Sequence, residues 1–193
     1  MNSINFKTNS FLLIAAFLLF FSACSNSDKY ATEIRLLDSV LVKLDSAELK
    51  FNSVDISRIK QYALKLDSNL NYFNTQNKDT LTKETAILIS EYRSAGKPFK
   101  VIISQYKSLE TELPESKKQI ENLLHDLKKN KADDAKALFY VQNEVIAARR
   151  IIHTIDNMEN LVTLYSEKFE LYGPEVNELV NALKEKSESQ NNN

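Results

Sequence analysis

The chain has 193 residues, with 25 Lys and Arg against 26 Asp and Glu and a formal charge of −1, a balance that gives no strong pull on nucleic acid or anionic lipid. Two Gly, three Pro and no Trp argue for long helices with few turns, and against a β-rich fold with a turn about every 8–12 residues. A single Cys excludes an internal disulfide.

Residues 11–24 read FLLIAAFLLFFSAC. The polar leader before them carries one charge, Lys7, and eleven unbroken apolar residues follow. Such a run is too short to span a bilayer, which needs about 20 residues. It fits the apolar region of a cleaved signal, roughly 7–15 residues. Small residues Ser22 and Ala23 then lead to Cys24. This stretch resembles the lipobox of bacterial lipoproteins, over residues 1–24 and nothing beyond. The resemblance implies diacylation of the Cys24 thiol, cleavage between Ala23 and Cys24, and palmitate-type chains holding the mature chain on a membrane. Phe21, third before the cysteine, departs from the usual Leu. The alternative is an ordinary secretory signal with a chance cysteine, which leaves an unpaired thiol. Ser25, where Asp would imply inner-membrane retention, resembles the sorting pattern for the outer membrane. Ser27-Asp28-Lys29 also resembles surface-export signals, so the periplasmic and outer faces both stay open.

Removal of residues 1–23 leaves 170 of the 193, enough for one domain with a sizeable core. Residues 24–27 are then a lipidated tether, 28–185 a helical domain, and 186–193 a disordered polar tail. Ser27, with Asp28 behind it, is the expected cap of a first helix. Its seam is Tyr30, Ile34, Leu37, Leu41, Leu44, Glu48 and Phe51, a four-three heptad rhythm. Asn52-Ser53 signals a turn and Asp55 a second cap. The next seam is Ile56, Ile59, Ala63, Leu66, Leu70 and Phe73. So short a connection predicts that the two helices lie side by side, antiparallel. KLDS occurs at 43–46 and again at 65–68. Four matched residues fit convergence on heptad-friendly types better than duplication.

Residues 74–80 read as a loop with Asp79 or Thr80 as cap. The longest seam follows: Leu81, Thr85, Leu88, Tyr92, Ala95, Phe99, Ile102, Tyr106, Leu109 and Leu113. Its register runs through Gly96-Lys97-Pro98, which predicts a kinked, continuing helix; a break into two helices is the alternative. Pro114 reads as the first residue of a new helix, carrying Ile120, Leu123, Leu124 and Leu127 to a lysine-rich end at 128–131. Asp133 and Asp134 open the last long helix. Its seam is Leu138, Val141, Val145, Ala148, Ile152, Ile155, Met158, Val162, Tyr165, Phe169 and Tyr172, with Ile151, Leu161 and Leu164 widening the face. Gly173-Pro174 predicts its end and a further short helix with Val176, Leu179, Val180 and Leu183.

Chemistry-bearing motifs are sparse. Ser94-Ala95-Gly96-Lys97 has Glu91 and Pro98 where a phosphate loop needs Gly and Ser or Thr. There is no GxSxG elbow. His125 reads as a histidine near a helix C-terminus, and His153 has Asp156 three residues on. Arg150 and Asn122 stand where a di-iron motif needs Glu. Lys128, Lys129, Lys131 and Arg149-Arg150 lack interleaved aromatics, so they read as solvated faces and not as a nucleic-acid platform. Tyr30, Tyr92, Phe99 and Tyr106 fall on seams, which makes them core.

The expected fold class is all-α: an elongated antiparallel helical bundle with coiled-coil-like heptad packing. The expected function is a non-catalytic scaffold, spacer or protein-binding adaptor of the cell envelope, with no cofactor and no metal. Its contacts would be the membrane, through acyl chains on Cys24, and a protein partner or a second copy through a helix face. The alternative is a glycan- or lipid-binding module with an aromatic pocket near Pro98 or Gly173-Pro174.

Overall fold

The computed structural model describes residues 29–76 and 81–191. The signal stretch with Ala23 and Cys24, the cap Ser27 with Asp28, and Asp79 with Thr80 lie outside the described residues. The described residues form five helices and no strand: α1 Ala31–Ser53, α2 Ile56–Gln76, α3 Lys83–Ser94, α4 Gly96–Lys128 and α5 Asp134–Asn191. The protein is an all-α antiparallel bundle.

Its spine is α5, 58 residues long, about 87 Å at 1.5 Å per residue. α1 and α2 follow one another along one side of it, in the same direction. Lys50 pairs with Asp156 at 2.8 Å and Glu159 at 3.0 Å, then Arg58 meets Glu170, and Asn69 reaches Asn177 at 2.9 Å. α3 and α4 return along the other side. Lys168 pairs with Glu91 at 2.9 Å and Arg150 with Glu112 at 3.0 Å. Across to α1, Lys117 pairs with Asp45 at 2.7 Å and Glu48 at 2.6 Å.

The side-by-side arrangement expected of the first two helices is therefore wrong: α1 and α2 make no lateral contact. Val54 is extended (φ −73°, ψ 115°) and the chain resumes its helix at once. The reason lies in α5. A helix of this length buries its whole seam only if two shorter helices cover it end to end. Asp55 caps α2 as expected, accepting from the Arg58 N–H at 3.0 Å.

The cap of α3 is Thr82, which accepts from the Thr85 N–H at 3.2 Å. α3 and α4 abut at Ala95, which keeps right-handed helical angles (φ −76°, ψ −18°). Pro98 has no N–H to offer the Ser94 carbonyl, so the ladder breaks there. The seam does not: Tyr92, Ala95, Phe99 and Ile102 are all fully buried. Ile89 joins this core, and Leu88 and Thr85 sit at its edge.

Two expected boundaries are absent. Pro114 lies inside α4, and Gly173-Pro174 inside α5. Both prolines are exposed. The carbonyls they cannot bond, of Glu110 and Glu170, belong to the outer side of their helices, where water can serve them. The seam is continuous across each: Leu109, Leu113, Ser116 and Ile120 in α4, and Phe169, Val176 and Val180 in α5. At position 173 the residue has no Cβ to meet the proline ring, so the usual bias of a pre-proline residue away from helix is relieved. Pro114→Ala restores a ladder bond at an exposed site. It is expected to stabilise the fold by about 1–3 kcal/mol, after allowance for the freer unfolded chain. A higher urea midpoint at unchanged slope would register the gain.

α4 ends at Asn130 in the left-handed region (φ 51°), and the Lys131 N–H donates to the Asp126 carbonyl at 2.9 Å. This is a Schellman-type end with Asn in the usual glycine place. Asp133 opens α5, accepting from the Ala135 N–H at 3.0 Å. The α5 seam begins at Ala137, because Leu138 faces out at 57 % exposure, and Leu164 is also exposed. The helix runs on to Asn191, through the stretch for which composition suggests a disordered tail. Tyr72 holds this end, with its hydroxyl 3.4 Å from Ser187 Oγ and the Lys184 ammonium over its ring.

Candidate functional site

Three features could carry function: the aromatic waist, the grooves beside it, and the outer face of α5. The waist lies where Gly96 and Gly173 admit large side chains. Gly96 lets Leu66 approach, with Cδ2 3.2 Å from where a Cβ would stand, and Gly173 faces Tyr92 Cε2. Phe169 stacks on Tyr62 at 4.3 Å and on Tyr92 at 5.3 Å, and takes Phe99 edge-on at 6.0 Å. Tyr92 and Phe99 are fully buried and Phe169 nearly so.

The Tyr92 hydroxyl is not left alone in this core. Asn69 Nδ2 donates to it at 3.2 Å and to Asn177 Oδ1 at 2.9 Å. Asn69 is itself buried, so the network ties α2, α3 and α5 into one register. Burial pushes the Tyr92 phenol up from its ordinary value, and the Asn69 bond partly offsets this. At the rim, the Glu170 carboxylate accepts from Tyr62 and Arg58, which together hold it below the usual carboxylate range. Sequence reasoning missed Asn69 because it sits one residue off the Leu66–Leu70 seam. Its position three residues after Leu66 was the available signal.

The waist is closed packing: Tyr92, Phe99 and Phe169 are buried, and the half-buried Tyr62 ring is covered by Phe169 and the Arg58 guanidinium. Two open grooves of about 550 Å³ and 540 Å³ run nearby. Leu88, Leu179 and Ala182 floor the first, with Glu84, Glu175 and Glu178 at its edge. The second, beside the Pro98 break, has Leu66, Leu70 and Val101 below Arg93, Lys97 and Lys100. Neither is lined by an aromatic residue.

His125 and His153 are both exposed, on α4 and α5, and are not brought together with further ligands. Among the described residues no group of three or more His, Cys, Asp or Glu could hold a metal ion. Lys128 reaches Asp38 at 3.4 Å, and Arg150 is taken by Glu112, so these basic residues serve helix pairing. Lys129, Lys131 and Arg149 are exposed.

One ionisable group is poorly served. Glu144 Oε2 is buried without a hydrogen-bond partner, and burial pushes its carboxyl up from the ordinary carboxylate range. A carboxyl whose folded pKa is raised binds its proton more tightly folded than unfolded. Stability therefore falls as pH rises through the raised pKa, and is fully recovered below the ordinary one. Glu144→Gln should accordingly stabilise the fold at pH 7, because it removes the buried charge. Paired urea titrations at pH 7 and below about pH 4 would check it, since the two proteins should converge in acid.

The outer face of α5 carries large apolar residues exposed to solvent. Phe139, Ile146, Leu164 and Leu171 are 60 %, 65 %, 49 % and 66 % exposed. Their spacings of about two, five and two turns set them in one stripe opposite the seam of Val141, Ala148, Ile155 and Phe169. The stripe runs about 48 Å, with exposed His153 and Asn157 at its centre. Exposed Arg149 and Arg150 stand beside its first half, Arg150 in its pair with Glu112, and exposed Glu167 beside its second.

Among the described residues no helix is long and apolar enough to cross a membrane. The chain matches no protein-family model and no curated protein, and its fold matches no solved structure.

Proposed function

We propose that the protein is a lipid-anchored helical lipoprotein of the bacterial cell envelope, acylated on Cys24, that works without catalysis as a scaffold, spacer or protein-binding adaptor. The outer membrane is the favoured site, from Ser25 after the cysteine. The observation that carries the adaptor role is the outer face of α5. An aligned set of exposed apolar residues is a surface for another protein, since isolated apolar residues need no explanation but an aligned set does. The length of α5 suits a spacer. The aromatic residues near Pro98 and Gly173 are closed into the core, so a glycan- or lipid-binding module draws no support from them.

In-cell crosslinking of the tagged, lipidated protein, followed by capture and mass spectrometry, tests this reading. One dominant envelope protein, lost when Leu164 and Leu171 are both changed to Glu, is the expected result. Capture of the protein alone would reduce the role to a self-associating spacer. Robust hydrolytic turnover by the purified protein would overturn the non-catalytic reading.

A further inference from the structure

At the start of α5 the outer apolar stripe widens around Phe139. Leu138, Phe139 and Tyr140 are consecutive and all exposed, at 57 %, 60 % and 44 %. Successive residues on a helix point about 100° apart, so three in a row cover more than half of its girth. They do not continue the packed seam, and the Phe139 and Tyr140 rings stand 6.0 Å apart. The turn just before them presents exposed Lys129 and Lys131.

The N-terminal end of the described chain is fastened at the same place. Lys29 and Tyr30 both donate to the carboxylate of Asp134, the first residue of α5. Those two bonds hold Asp134 below the ordinary carboxylate range, so the fastening stands at neutral pH. Cys24 lies five residues before Lys29. Five extended residues span at most about 18 Å. Phe139 is five residues beyond Asp134, about 7.5 Å along the helix axis.

We infer that this end of the bundle seats on the lipid bilayer, with Phe139, Tyr140 and Leu138 inserted at the headgroup boundary and Lys129 and Lys131 against lipid phosphates. The inference rests on the acylated Cys24 proposed above. An anchor there leaves too short a tether for the end of the rod to stand far from the surface. An aromatic with a polar tip beside an aliphatic and a phenyl ring suits the interface, where one side is apolar and the other wet. Flexible lysine stems let the ammonium reach headgroups while their methylenes cover apolar surface. The seat fixes the tilt of the rod and turns its far half, with Leu164 and Leu171, away from the membrane.

The absence of Trp makes the test direct. Phe139→Trp and Leu171→Trp each place one fluorescent reporter at an exposed site of the full lipidated chain. Both variants are reconstituted in phosphatidylethanolamine–phosphatidylglycerol vesicles with plain or brominated acyl chains, and floated on a density gradient. The expected result is co-flotation of both. Bromolipid should quench the indole emission of the Phe139→Trp variant by at least about half and leave that of Leu171→Trp unchanged, as insertion about 5–10 Å into the boundary requires. Adding Lys129→Glu with Lys131→Glu should reduce that quenching without changing flotation. Co-flotation with neither reporter quenched would overturn the seat and leave the anchor standing. Equal quenching of both would mean a rod lying flat. Blue-shifted emission from the Phe139→Trp variant, indifferent to bromine, would put a second copy on the triplet. Either of these also overturns the seat. Failure to float at all would overturn the anchor, and the seat with it.

Discussion

Phe99→Ala is expected to cost about 3–5 kcal/mol of folding stability, the usual range for deleting a buried ring. Phe99 is fully buried, one turn past the α3–α4 junction. Its ring touches Tyr62 of α2 at 6.1 Å and Phe169 of α5 at 6.0 Å, so three lines of the bundle meet on it. The waist has little means to close over the hole, because Tyr92 is held by Asn69 and Phe169 is already stacked on two rings. Against a typical stability of about 5–15 kcal/mol, the loss leaves a narrow margin. Phe139→Ala, at an exposed site, should stay within about 0.5 kcal/mol and serves as the control. Urea unfolding of both would decide it. A loss below about 1 kcal/mol for Phe99→Ala would mean that the waist is open to water or collapses freely.

Cys24→Ala is expected to abolish palmitate labelling and to move the protein from the membrane fraction to the soluble one. Each buried methylene of an acyl chain contributes about 0.8 kcal/mol, so two or three chains make a durable anchor and none leaves little. No described helix could take over by crossing the bilayer. An interfacial seat of three side chains is too small to hold the protein unaided. Thermal unfolding should be unchanged, since Cys24 precedes the first described residue of the bundle. Palmitate labelling that survives the substitution would mean that the lipobox resemblance misleads.

The class of fold and most of the core are legible in the amino-acid sequence. Ile59, Ala63, Leu66, Leu70 and Phe73, or Tyr92, Ala95, Phe99, Ile102, Tyr106, Leu109 and Leu113, recur at four-three spacing, and all of them but the half-buried Tyr106 are buried. That spacing is legible because a period near 3.5 sets one face of a helix toward a neighbour wherever it is sustained. The caps at Asp55 and Asp133 were legible for a local reason, a side-chain oxygen placed to accept a free N–H. The outer face of α5 was not legible, because Leu138 and Leu164 look the same in sequence whether they join the seam or leave it.

Tertiary structure alone decided where helices continue and which of them meet. Pro114 and Gly173-Pro174 carry the local signals of a boundary, yet a lost ladder bond on a wet face costs less than interrupting a buried seam. The two-residue joint at Val54 and Asp55 permits either a hairpin or a continued line. The line is chosen because α5 offers 58 residues of helix to cover. The Asn69–Tyr92–Asn177 network belongs to the same category. Its members are far apart in sequence, and each would be an unpaired polar group until the others arrive, so only the assembled bundle gives any of them a reason to be buried.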